Sequence, residues 1–95
     1  MKEQSFYWEK KILLENISYQ SVINWVSGEF DLFQQEINNG LKIYCPNSII
    51  YIEKKKNTNL VIAVIKSKSN YSGAKYRNKL IFVLGLLINY NQYQT

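Results

Sequence analysis

Histidine is missing from this 95-residue chain, and cysteine occurs once, at Cys45. Without an imidazole there is no histidine acid or base, no Ser-His or Cys-His nucleophile pair, and no ordinary zinc site. A lone thiol closes no intramolecular bridge, which excludes a disulfide scaffold. No glycine-rich phosphate loop occurs. The longest apolar run, Leu80 to Ile88, spans nine residues, where roughly 20 are needed to cross a membrane. The amino terminus, Met1-Lys2-Glu3-Gln4, lacks the apolar core and small-residue cleavage site of a secretory signal, so a cytoplasmic protein without a membrane partner is expected.

Carboxylates are scarce in one half only. Residues 41–95 carry eight lysines and Arg77 against Glu53 alone, net +8, while residues 1–40 carry three lysines against six carboxylates, net −3. One reading is that the halves attract each other and the lysines keep the domain soluble. The sharper one is that residues 54–79 form a basic face that meets phosphate or an acidic protein surface.

What the chain has in quantity is apolar and aromatic side chains: 46% hydrophobic residues, with eight Tyr, four Phe and two Trp. That composition folds, and 95 residues make a single domain. Its centre is Leu60-Val61-Ile62-Ala63-Val64-Ile65, an apolar run rich in β-branched residues that reads as a strand buried on both faces.

Before it, residues 5–27 are rich in apolar groups without a clean period, and helix is favoured. Val22, Val26, Phe30, Phe33 and Ile37 step by four, four, three and four, which places them on one helical face with Asn16 or Ser18 as the cap. An alternating pattern, Ile17, Tyr19, Ser21, Ile23 and Trp25, competes with it. Ser27-Gly28 interrupts or kinks this region, and Asn38-Asn39-Gly40 ends it. Glu29, Asp31 and Glu36 read as a solvated acidic face.

From Leu41 the period becomes two. Strands over 41–45, 49–54 and 60–66 form the simplest antiparallel meander that such short links permit. Ser67 to Gly73 reads as a polar loop. A helix is expected from Ala74, apolar almost all round over Leu80 to Ile88, with Gly85 marking close packing and a frayed tail from Asn89. The fold class is therefore α/β (α+β), in the order αβββα.

That order, with Ile62-Ala63-Val64-Ile65-Lys66-Ser67 followed by Val83-Leu84-Gly85-Leu86-Leu87-Ile88-Asn89-Tyr90, resembles the XisH-like family of element excision controlling factors. These are related to PD-(D/E)XK nucleases, and the likeness covers about residues 41–90. The resemblance implies an αβββα scaffold whose acid-x-Lys strand holds a divalent metal for phosphate chemistry. Here Lys66 matches the lysine, but Val64 stands in place of the glutamate. The upstream aspartate position falls near Cys45 to Asn47, where no carboxylate occurs. Glu53 with Lys55 spells a second acid-x-Lys pair, which reads as a solvated strand end. The resemblance thus implies a scaffold that has lost its metal site.

The candidate nucleic-acid-binding residues are Lys54, Lys55, Lys56, Lys66, Lys68, Lys75, Arg77 and Lys79, with Tyr71 and Tyr76 interleaved as stacking groups. No catalytic residue, metal or cofactor is expected. Three functions stay open. The first is a non-catalytic binder of DNA or RNA. The second is a protein-interaction module, such as a phage or mobile-element inhibitor or a subunit of a homodimer or hetero-oligomer. The third is a divergent XisH-like factor for DNA element excision.

Overall fold

The computed structural model describes residue 6 and residues 8–15, 17–30, 33–58 and 60–94, the last six by backbone alone. It is an α+β fold with strands β1 (Trp8–Leu14), β2 (Gln34–Ile37), β3 (Gly40–Cys45), β4 (Ser48–Lys54) and β5 (Val61–Ser67) and helices α1 (Tyr19–Glu29) and α2 (Asn70–Gln94). The five strands form one antiparallel sheet in the order β1-β5-β4-β3-β2. α1 carries the chain from one edge of the sheet to the other. The meander β2 to β5 then returns to pair with β1.

The meander expected over 41–66 is present, in register Leu41↔Ile52 and Ile52↔Ala63. The three-stranded sheet and the helical amino terminus are corrected. Residues 8–14 form an edge strand in which Trp8, Ile12 and Leu14 share a face opposite Ser67, Ala63 and Val61. Lysines at 10 and 11 suit that edge, because a charged edge strand discourages pairing with a foreign chain.

The helix expected across residues 17–37 stops at Glu29. Ser18 caps it, its hydroxyl accepting the Ser21 N–H at 3.2 Å, and Val22 and Val26 form its buried stripe. Beyond Ser27-Gly28 the Gln34 side-chain amide donates to the Ser27 and Phe30 carbonyls, at 3.3 and 2.9 Å. These contacts occupy carbonyls that a longer helix would bond internally. Residues 34–37 then pair with β3. Asn38-Asn39 is the turn of this hairpin, with Asn39 at φ 62°, so the left-handed residue closes a hairpin and not a helix. Met1 to Gln4, residues 5 and 7 of the apolar segment 5–27, Asn16 and Asp31 lie outside the described residues.

Both helices lie on one side of the sheet, α2 over β5 and β1 and α1 beside it over β4. The core between the layers contains Val22, Val26 and Phe30 from the α1 region; Ile43, Ile50, Ile52 and Ile65 from the sheet; and Leu80, Val83 and Leu87 from α2. β5 is consequently buried on one face, through Val61, Ala63, Ile65 and Ser67, while Ile62, Val64 and Lys66 on the other face are half-buried.

α2 begins at Asn70, four residues earlier than the composition suggests. Ser69 caps it, accepting the Ser72 N–H on its hydroxyl at 3.0 Å, while its carbonyl takes the Gly73 N–H. The helix continues through 89–94, where the composition predicts fraying. Its apolar stretch is buried on one side only, because Ile81, Phe82, Leu86 and Ile88 are exposed. Gly85 is not closely packed: among the described residues, no atom beyond its chain neighbours and the backbone of its own helix turns lies within 4 Å of where a Cβ would sit.

Candidate nucleic-acid interface

Alternation along the strands decides what the uncovered face of the sheet presents. If Ile43, Ile50 and Ile65 point to the helices, their neighbours Lys42, Tyr44, Tyr51, Val64 and Lys66 point away. The register lines these up across the sheet. One row runs Lys11, Val64, Tyr51, Lys42 and Gln35; the next runs Glu9, Lys66, Ile49 and Tyr44. Among the described residues no helix covers this face.

Cations and rings interleave along it. The Lys42 Nζ lies 4.8 Å from the Tyr44 ring centroid and 5.6 Å from that of Tyr51, and the Lys66 Nζ lies 5.8 Å from Tyr51. The Tyr44 hydroxyl donates to the Gln35 side-chain oxygen Oε1 at 2.8 Å, and its ring sits 5.4 Å from that of Phe33, which is 70% exposed. Hydrogen bonding to the Tyr44 side chain, together with the Tyr51 phenol, raises the Lys42 pKa above its ordinary value and keeps the ammonium charged. Tyr44, Tyr51 and Phe33 thus offer three rings on one sheet surface, with two ammonium groups among them.

The ten residues expected from the sequence do not form one face. Lys66 alone joins the platform. Lys54, Lys55 and Lys56 are exposed at the β4–β5 turn, whereas Lys68 follows β5 at the other end of that strand, about 23 Å away for seven residues. Tyr71 and Lys75 are exposed on α2, and Arg77 donates to the Asn78 side chain at 3.3 Å. Lys79 places its Nζ 4.8 Å from the Phe30 ring centroid, and Lys75 lies 5.6 Å from that of Tyr76. Tyr76 is buried in the core and is unavailable for base stacking.

Lys42, Tyr44 and Tyr51 escaped the sequence reading, although the signal was there. They occupy the polar phase of strands whose apolar phase was recognised, and a one-sided sheet makes that phase its exposed face.

Of the acidic residues of the first half, Glu9 stands on β1 in the uncovered face, whereas Glu36, paired with Leu41, lies on the helix side in a groove of about 520 Å³ between α1 and β2, lined by Tyr19, Ile23, Gln34 and Leu41. Burial, then Glu36 and Glu53, raise the Tyr19 pKa. That negative groove is unsuited to phosphate.

Among the described residues, no group of three or more His, Cys, Asp or Glu is placed to hold a metal, and no helix is long and apolar enough to cross a membrane. Val64 and Lys66, the positions compared with the XisH-like acid-x-Lys pair, share the uncovered face. No family model matches the chain, and neither do curated proteins or solved structures.

Proposed function

We propose that this chain is a non-catalytic binder of single-stranded nucleic acid, which it holds on the uncovered face of its sheet. The observation that carries this reading is the interleaving of Lys42 and Lys66 with Tyr44 and Tyr51 on one antiparallel surface. Tyr44 and Tyr51 are half-buried and Phe33 is exposed; accessible ring faces stack on unpaired bases whatever their sequence, and neighbouring ammonium groups neutralise the phosphates between them. A single strand fits this face better than a duplex, since rings on a sheet surface reach bases only when these are unstacked from a partner strand.

Titration of a fluorescently labelled oligothymidine or oligouridine, followed by anisotropy, tests the proposal. Tyr51→Ala is expected to weaken binding by about 1–3 kcal/mol, roughly 5- to 150-fold, as for other base-stacking rings. Lys42→Ala should weaken it and lower the slope of log K against log salt by about 0.7. Salt-independent binding, or undetectable binding at low salt, would refute the proposal. So would a Tyr51→Ala variant that binds as well as the parent.

A further inference from the structure

We propose that the free edge of β2, with the groove beside it, takes an extended basic segment of a partner protein as an added strand, its cationic side chain set against Glu36. β2 closes one side of the sheet, and among the described residues no strand pairs with its outer edge. The Tyr44 N–H donates to the Phe33 carbonyl, and the β2–β3 register continues from that pair without a bulge. Gln35 with Lys42 and Ile37 with Gly40 are then the hydrogen-bonded pairs, so the N–H and C=O groups of Gln34 and Glu36 point away from β3. An incoming strand pairs with such groups. The two edges of the sheet differ in how they are guarded. β1 carries Glu9, Lys10 and Lys11, whereas β2, Gln34-Gln35-Glu36-Ile37, holds neither lysine nor proline and a single carboxylate.

Charge and backbone together select the occupant. The side chains of Gln34 and Glu36 turn to the helix side, where the groove of about 520 Å³ is lined by Tyr19 and Ile23 of α1 and by Leu41 of β3. The Gln34 amide, bonded to the Ser27 and Phe30 carbonyls, fastens β2 to the end of α1 and sets that groove's width. Glu36 is exposed, and among the described residues no lysine or arginine pairs with it. Burial raises the Tyr19 pKa, and Glu36 and Glu53 raise it further, so two carboxylates act on the same groove. A residue of the added strand directly opposite Glu36 points to the same side, with its Cβ about 4.5–5.5 Å away. A lysine or arginine there lays its aliphatic stem along the apolar lining and brings its charge to the carboxylate. An acidic side chain would be repelled. A free amine answers the carboxylate alone, and only a peptide answers the strand edge as well. The edge is four residues long, so backbone pairing holds the segment weakly and Glu36 sets its charge preference. The inference stands independently of the nucleic-acid reading.

Amide chemical shifts and hydrogen exchange of the labelled full chain, titrated with a short acetylated peptide of alternating valine and lysine, test it. Binding is expected at or below about 1 mM peptide, the weak end of specific contacts. The N–H groups of Gln34 and Glu36 should be unprotected in the chain alone and protected with peptide, while those of Gln35 and Ile37 keep the protection that β3 gives them. The same peptide N-methylated along its backbone should not bind. Glu36→Gln should weaken binding up to about fivefold, as for a cross-strand charge pair. Glu36→Lys should reverse the preference, so that a valine–glutamate peptide binds more tightly than the valine–lysine one. The position is exposed, so circular dichroism of both variants should match the parent. No binding up to about 1 mM, or protection that spares Gln34 and Glu36, overturns the proposal. So does equal binding of the N-methylated peptide or of N-acetyl-lysine amide, or a Glu36→Lys chain that still prefers lysine.

Discussion

Two glycines on one helix have opposite roles. A Cβ at Gly73 would run into the indole of Trp8, which holds β1 to the start of α2, whereas a Cβ at Gly85 meets nothing within 4 Å. Gly73→Ala is therefore expected to destabilise the fold by about 1–3 kcal/mol through overpacking. Gly85→Ala should stabilise it by up to about 1 kcal/mol. Urea unfolding of both variants reads the two signs directly. Burial pushes the Cys45 thiol up to about 11 from an ordinary 9.0, with the nearby Lys79 ammonium pulling the other way. Between these values the unfolded chain loses its thiol proton while the folded chain keeps it. Stability should thus be fully present below pH 9 and fall as pH rises toward 11. The Tyr76 phenol, raised first by burial and then by the Cys45 thiolate, adds to the same decline above pH 10. Thiolate absorbance during titration of the native protein checks the Cys45 value, and melting temperature across the same range checks the sign.

At the scale of elements, a buried hydroxyl joins three parts of the chain. Ser67 accepts hydrogen bonds from the Ser48 hydroxyl at 2.9 Å and the Ser69 N–H at 3.1 Å. Its own proton is shared between the carbonyls of Asn47 and Ser69, at 3.1 and 2.9 Å. Asn47, in the left-handed region at φ 60°, belongs to the β3–β4 turn, so this network fastens that turn to the β5–α2 junction. Ser67→Ala takes the acceptor from the Ser48 hydroxyl and the Ser69 N–H in a closed site, while the Asn47 and Ser69 carbonyls keep the Lys68 and Gly73 N–H groups. It should cost about 1–3 kcal/mol by denaturant unfolding. The β3 to β5 meander was legible because each strand alternates and each link is short. β1 was not, because the run Ile12-Leu13-Leu14 hides a period of two in which Leu13 is the outward, exposed member. β2 was lost to coincidence. Phe33 and Ile37 continue the helical spacing of Val22, Val26 and Phe30, yet the chain has already left the helix at Glu29 and Phe33 is exposed. Local periodicity carries no information about the amide of Gln34 that ends α1.

For the molecule as a whole, the charge asymmetry of the sequence becomes a placement. The two edge strands come from the acidic half and bring Glu9 and Glu36, while the interior strands bring Lys42 and Lys66. A basic surface was legible, but its position was not. Nine cations spread over the 55 residues from 41 to 95 suggest one continuous face until the topology sends Lys54–Lys56 and Lys68 to opposite ends of β5. Lys66 remained in the candidate site because strand alternation turned it outward. Tyr76 left it because the same alternation principle, at helical period, turned it into the core. The uncovered sheet is the central claim, and it is tested most directly by amide chemical shifts of labelled protein titrated with a single-stranded oligonucleotide. The account predicts shifts concentrated at Lys42, Tyr44, Tyr51 and Lys66, with the β4–β5 turn and the outer side of α2 little changed. Shifts confined to Lys54–Lys56 or to α2, or none at all, would contradict it.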